Sequence, residues 1–464
     1  MDGFKTEKMK KTLILLLALL AFFLIIKISN LGLRLSDTNI YFSTVNQIFQ
    51  GKLLYRDIFF SNFPVFTYIA SIYYLLAGKN IELFYLSSII EAVIITILIY
   101  SIVYKKTKDN IVSLTSSSLY IFSFIVLATS DHQTGVFTAS LFAVLGYLFF
   151  QGNRFFLSGA FVALSFFTKA YFIPIAASFF ASLIIEKDFK KIFNFSVSLI
   201  ATGIIAILPF LLLAPNNFFG DIFGFSLTRP SGLLKSDVAW FFITKDFLLF
   251  ILLIFNLLNF KKNSFFAFIS IFSLVLFFGF QDIYYLYLNF IVPFLSLSFY
   301  EFYYFLNKTL RLQKHVIPSL VFIVLIINLY TYFLSFRDLQ KINNLNQIVK
   351  TIQKEKPSFL YGVDDITPAL LYITKIPPLE GVIDAHEYFF TKKVYDKNYL
   401  TKKAIEKKTI IITHGAFYPE LNIEEKIIDG IFDKNLLLQK CNMIESFPIK
   451  SEGVTNRINL FKCY

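Results

Sequence analysis

Asp37 is the residue of this chain best placed to do chemistry, because it follows directly on the first apolar run. It lies in Leu35-Ser36-Asp37-Thr38-Asn39-Ile40-Tyr41, followed by Gln50-Gly51-Lys52-Leu53-Leu54-Tyr55-Arg56-Asp57 and then Asn62-Phe63-Pro64. A carboxylate there can take a proton from an attacking hydroxyl or orient it, and cations can stabilise the charge growing on a phosphate leaving group. Arg56, Lys169 and Arg229 are the candidate cations. Lys169 is the sharpest: it separates two short apolar runs, where a lone cation either meets an anion or snorkels to the head groups. Asp131-His132, in a very short turn, either contributes with Tyr55 and Asp57 to an acceptor or supporting shell or simply caps the turn. One acid and one histidine do not make a ligand set, so a divalent metal is compatible with the sequence without being predicted by it. Arg229 and Asp237, in TRPSGLLKSDVAW, either close over a substrate or stand as ordinary exposed loop charges. Each acid has a plainer reading as well. Asp37 can be a helix N-cap, Asp282 reads more simply as the cap of a later span, and Glu91 is the one clear acid deep in an apolar run.

The elements that must position these groups are membrane helices. Of 464 residues 56% are hydrophobic and 19% aromatic, and mean hydropathy is +0.63. The apolar runs are about 18 to 23 residues long, enough to span a hydrocarbon core of about 30 Å as helix. About eleven spans are expected, near 11–30, 82–104, 111–129, 133–150, 155–168, 170–185, 192–214, 242–260, 264–280, 283–304 and 315–335. The N-terminal MDGFKTEKMKK with its following run reads as a retained first span, since no small-residue cleavage site follows. With the N-terminus cytoplasmic, the inside loops carry Lys105, Lys106, Lys108, Arg154, Lys187, Lys190, Lys191, Lys261, Lys262, Lys308, Arg311 and Lys314, while the short outside turns near Asp131 and Gln281 carry none. That is the positive-inside pattern. The net charge of +13 therefore sets topology and does not point to nucleic acid. Within the first outside loop, 30–81, FPVFTYIASIYYLLAG is too short and interrupted to span and reads as an interfacial helix.

The expected layout is a membrane part over 1–335 and, over 336–464, an extracytoplasmic α/β domain. FLYGVD, TIIITHGAF, MIESFPI and RINLFKCY are its strand candidates, separated by charged helical stretches such as PELNIEEKIIDGIF. Cys441 and Cys463 both fall in this domain, where they either form a bridge pinning the last strand or stay reduced.

The first-loop block resembles the signature of the GT-C glycosyltransferases, in the lineage of protein O-mannosyltransferases and lipid A aminoarabinose transferases. Asp37, Gly51 to Asp57, and Pro64 to Gly78 match its acid, its G-x-x-x-Y-R-D stretch and its aromatic P…Y…G helix. Gly159 to Lys169 resembles the G-x-x-x-G-L-A-x-x-T-K segment, and Tyr284 to Pro293 a late Y-x-L-x-x-x-P span. The chain departs at Thr38, where many members have Glu, and at Phe63, where many have a first Pro. The resemblance implies a GT-C-like polytopic fold and transfer of a sugar from a polyprenyl-phosphate carrier to a lipid, glycan or protein acceptor, with Asp37 as catalytic carboxylate. It further implies a prokaryotic cell membrane as the location. A membrane polysaccharide polymerase or ligase would use a large late loop rich in Arg and His, and a transporter would use midplane polar groups and repeated half-helices. A catalytically dead scaffold would be marked by loss of Asp37, which is present.

Overall fold

The computed structural model describes residues 2–463 except 226–231, 261–263, 312, 340, 419–422, 428–429 and 451–454. Arg229, Lys261 and Lys262 lie outside the described residues.

Most of the chain is helical, as a backbone in lipid must be to satisfy its own hydrogen bonds. Among the described residues, three helices are long and apolar enough to cross a membrane: Ile81–Thr107, Phe189–Leu213 and Val316–Phe336. Three other expected spans are interrupted, two of them at a polar side chain. The run 111–129 divides into Asn110–Ile121 and Phe124–Thr129, because Ser123 Oγ accepts from Val126 N and starts a new helix. The run 242–260 bends by 104° between Lys235–Lys245 and Phe247–Leu258, at Asp246. Asp246, 3% exposed, turns its carboxylate onto Phe124 N at 2.7 Å and Ile125 N at 2.9 Å, satisfying the open amides of that second helix start. The segment after Asp282 is a 3-10 turn, Tyr285–Phe290, whose N-cap is Tyr284, so Asp282 is not a cap there. FPVFTYIASIYYLLAG contains the helix Val65–Leu76.

The chain forms two compact units. The first comprises Met1–Ser29, Leu54–Ile69 and Leu86–Leu334. The helix Asn110–Ile121 packs against Asp2–Ile28, Val292–Leu310 and Val316–Thr331, and its buried Ser113, Thr115, Ser116, Ser117 and Ser118 let neighbouring helices approach closely. Its periphery is apolar and open: Ile205 is 74% and Leu212 73% exposed, as expected where lipid is the solvent. The helix Phe155–Thr168 crosses Phe189–Leu213 at Gly159, where a Cβ would sit 2.3 Å from the Phe195 carbonyl oxygen. Gly159→Ala should therefore force the two helices apart and cost about 1–3 kcal/mol. An unchanged Tm for the solubilised variant would show that the crossing relaxes freely.

The second unit comprises Asn30–Leu53, Ala70–Tyr85 and Ser335–Tyr464. The first-loop segment joins the C-terminal residues through backbone and side-chain bonds. Ile342 N donates to Leu33 O at 3.0 Å, and the Arg34 guanidinium, 3% exposed, donates to Leu339 O at 2.6 Å and Arg337 O at 2.9 Å. Phe42 packs edge-on against Phe84 and Tyr372. The sheet holds β1 (Phe359–Gly362), β2 (Thr409–Tyr418), β3 (Ile423–Ile427), β4 (Asn442–Lys450) and β5 (Thr455–Cys463), in the order β1-β2-β5-β4 with β3 also on β2. Only β1–β2 is parallel. The stretch PELNIEEKIIDGIF, expected as helix, instead supplies β3. β1 covers only Thr409 to Ile412 of β2, while β5 takes the opposite edge from Thr409 to Phe417, so the edge from Gly415 to Tyr418 is open to a returning strand. Cys441 and Cys463 are joined by a disulfide at the end of the β4–β5 pair.

Candidate functional site

Asp37 precedes the helix Thr38–Phe49 in the second unit. The N-cap alternative does not hold: its side chain makes no capping bond, and Ser36 Oγ accepts from Thr38 N at 3.2 Å instead. Leu33 to Ser36 and Thr38 to Asn39 are buried, yet Asp37 itself is exposed. Among the described residues its carboxylate has no hydrogen-bond or ion-pair partner. Helix formation has therefore left this carboxylate unused, at a helix start that favours negative charge.

The segment around it is tied on both sides to one carbonyl, by a backbone amide before it and a side-chain amide after it. Asp365 O accepts from Ser36 N at 3.3 Å and from Asn39 Nδ2 at 2.5 Å. Asn39, fully buried, also donates to Arg34 O at 2.8 Å and accepts from Tyr85 Oη at 2.8 Å, so its amide orientation is determined. Asp364 and Asp365 follow β1, and Asp365 Oδ1 lies 3.2 Å from His414 Nε2 on β2. The Asp364 carboxyl is raised well above the usual range, first by burial and then by the carboxylates of Asp384, Asp365 and Asp37. Sequence reasoning missed this acidic surround; its signal was the Asp-Asp doublet after an apolar strand. Among the described residues no set of three or more His, Cys, Asp or Glu side chains is grouped to hold a metal ion.

The first unit carries the cations. Lys169 ends the helix Phe155–Thr168 and is 5% exposed, donating to Asn62 Oδ1 at 3.1 Å, so its ammonium does not snorkel to head groups. Tyr55 is packed: at φ +64 it is 2% exposed among Phe60, Phe210 and Phe218, and its hydroxyl donates to Asn62 O at 2.6 Å. Arg56 is exposed and forks onto its neighbour Asp57, with Nη2 2.8 Å from Oδ2. Asp221 Oδ2 accepts from Phe60 N at 3.1 Å, and burial pushes this carboxyl up to about 7. A carboxyl with a raised folded-state pKa binds its proton more tightly in the folded protein, so stability falls as pH rises from about 4 through 7. Asp221→Asn, which keeps an acceptor for Phe60 N, should raise Tm at pH 8 more than at pH 5. Equal shifts at both pH values would refute this placement of the proton.

Asp131 is 4% exposed and pairs with Lys27, 1% exposed, at 3.2 Å. Lys27 also donates to Leu127 O at 2.8 Å and to Tyr332 Oη at 3.3 Å. A lone lysine in the first apolar run was the available signal for this pair. His132 Nε2 lies 4.0 Å from Asp131 Oδ1. Glu91 is buried and accepts from Thr138 Oγ1 at 2.5 Å and Gln133 Nε2 at 3.3 Å. Asp237 is exposed in the first turn of Lys235–Lys245. Four residues beyond Lys169, Ile173, Pro174 and Ala177 face Phe272, Val275, Leu276, Gly279 and Phe280 across an apolar groove of about 370 Å³.

Residues 61–213 match the family model described as dolichyl-phosphate-mannose-protein mannosyltransferase. The whole chain is similar in structure to ArnT from Cupriavidus metallidurans. Against the apo form the TM-score is 0.62 at 12% identity, covering 96% of this chain and 97% of that one. Against the form bound to undecaprenyl phosphate it is 0.60 at 12% identity, covering 98% of each. The oligosaccharyltransferase of Archaeoglobus fulgidus, in complex with Zn and sulfate, gives 0.52 at 12% identity over 89% of this chain and 73% of that one. No curated protein matches the chain at a significant level. At such identities the likeness establishes the fold alone, which this chain shares with ArnT and the archaeal oligosaccharyltransferase.

Proposed function

We propose that this chain is a GT-C membrane glycosyltransferase that moves a sugar from a polyprenyl-phosphate carrier to a hydroxyl of a lipid, glycan or protein at the outer face of a prokaryotic cell membrane, with inversion. The acceptor oxygen attacks the anomeric carbon, the bond from that carbon to the phosphate oxygen breaks, and the acceptor proton passes to Asp37 while the phosphate stays on its lipid. The observation that carries this reading is the exposed, unspent carboxylate of Asp37 in an otherwise buried stretch. The lipid carrier is supported by ArnT, crystallised with undecaprenyl phosphate on the same fold. Lys169 is the assigned contact to the donor phosphate, since a buried ammonium favours an anion. The charge pattern of the loops supports an outside location for the second unit, as does a disulfide, which forms in oxidising compartments.

Purified protein incubated with a panel of polyprenyl-phosphate sugars should release polyprenyl phosphate and glycosylate a hydroxyl acceptor. Turnover of nucleotide sugars alone would overturn the assignment. The apolar groove suits the donor's hydrocarbon tail. Gly279 meets nothing within 4 Å where a Cβ would stand, so Gly279→Leu should raise KM for a long-chain donor roughly 3- to 10-fold and leave a short-chain donor unaffected. Equal effects on both would remove the groove from donor binding.

A further inference from the structure

Asp37 is held from behind by the C-terminal residues of its own unit, and we propose that the pair Asp365–His414 is a positioning device for the catalytic carboxylate. The inference rests on the assignment of Asp37 above. The chain of contacts is continuous. His414 Nε2 on β2 stands 3.2 Å from Asp365 Oδ1, and the Asp365 carbonyl receives Ser36 N and Asn39 Nδ2, the residues immediately before and two after Asp37. Among the described residues the Asp37 side chain makes no bond of its own, so its aim is set by the segment on either side. A carbonyl that receives the Ser36 amide and the Asn39 side chain fixes that segment, provided the Asp365 side chain is itself anchored. β1 ends at Gly362, leaving Asp365 outside the strand ladder, and the side chain that comes within ion-pair distance of its carboxylate, without hydrogen-bond geometry, is His414 on the neighbouring strand, to which we assign the anchoring role.

Neither Asp365 nor His414 is assigned to touch substrate. Their effect should fall on kcat, because misplacing a reacting group by about 1 Å costs on the order of 100-fold. The test compares wild type, His414→Leu, His414→Gln and Asp37→Asn, all full length, by transfer from polyprenyl-phosphate sugars and by hydrogen exchange of the segment Ser36–Tyr41. His414→Leu should lose about 10- to 100-fold in kcat with donor KM unchanged. His414→Gln, which keeps a donor toward Asp365, should recover most of that loss. Exchange at Ser36, whose amide is bonded to Asp365, should quicken in the Leu variant and return toward wild type in the Gln variant. If Asp37→Asn is inactive while His414→Leu matches wild type in kcat and exchange, the positioning role fails and Asp37 stands. If Asp37→Asn is fully active, the catalytic assignment itself fails, and the exchange result still decides whether His414 orders the segment.

Discussion

Asp37→Asn should lower sugar transfer by about 10²- to 10⁴-fold, the usual contribution of a positioned general base, while the protein stays folded. The asparagine side chain is nearly the same size and can still orient a hydroxyl, but it accepts no proton at neutral pH. The native side chain bonds nothing in the described structure and stands exposed, so its replacement removes no structural contact and Tm should shift by less than a degree or two. Removing one negative charge should also ease the burden on Asp364, whose carboxyl is raised partly by Asp37. The expected combination is thus lost kcat, preserved donor binding and unchanged or slightly raised stability. A variant that turned over at the wild-type rate would leave the enzyme without its base.

The largest effect on stability is expected from Lys27→Met. Lys27 and Asp131 are buried partners 3.2 Å apart, and the ammonium also serves a carbonyl and the Tyr332 hydroxyl. Methionine fills the same volume but leaves Asp131 buried without its cation, which costs about 3–5 kcal/mol when one member of such a pair is deleted. Yield of monodisperse protein and Tm should both fall sharply. Adding Asp131→Asn should restore most of the loss, because the uncompensated charge is then gone, and the coupling measures the pair. A double variant that is stable yet inactive would show that Asp131 also meets substrate.

What was legible in the sequence follows the range over which each constraint acts. Membrane residence was plain, since each span must be apolar by itself. Asp37 stood out for a similar reason, as an acid set directly after such a run, and the structure shows its side chain exposed and, among the described residues, unbonded. Single polar residues inside apolar runs were read through, although Ser123 begins a new helix and Asp246 lies between the end of one and the start of another. The region around β3 misled because Glu424, Glu425 and Lys426 look like a solvated helix face, and only the open edge of β2 decides otherwise. The surround of Asp37 was out of reach altogether: Asn39 and Asp365 are 326 positions apart, and no local periodicity announces such a pairing.

That separation also orders events in time. At about 5–20 residues per second, synthesis of the intervening chain takes roughly 15 to 65 s, during which the helix carrying Asp37 has no Asp365 to close upon. The newborn first unit, which ends at Leu334, is thus complete in its own helices only a few seconds before the carboxylate is seated. Deleting the residues after 335 would recreate that early state permanently, with Arg34 deprived of the Leu339 and Arg337 carbonyls and Asn39 of the Asp365 carbonyl.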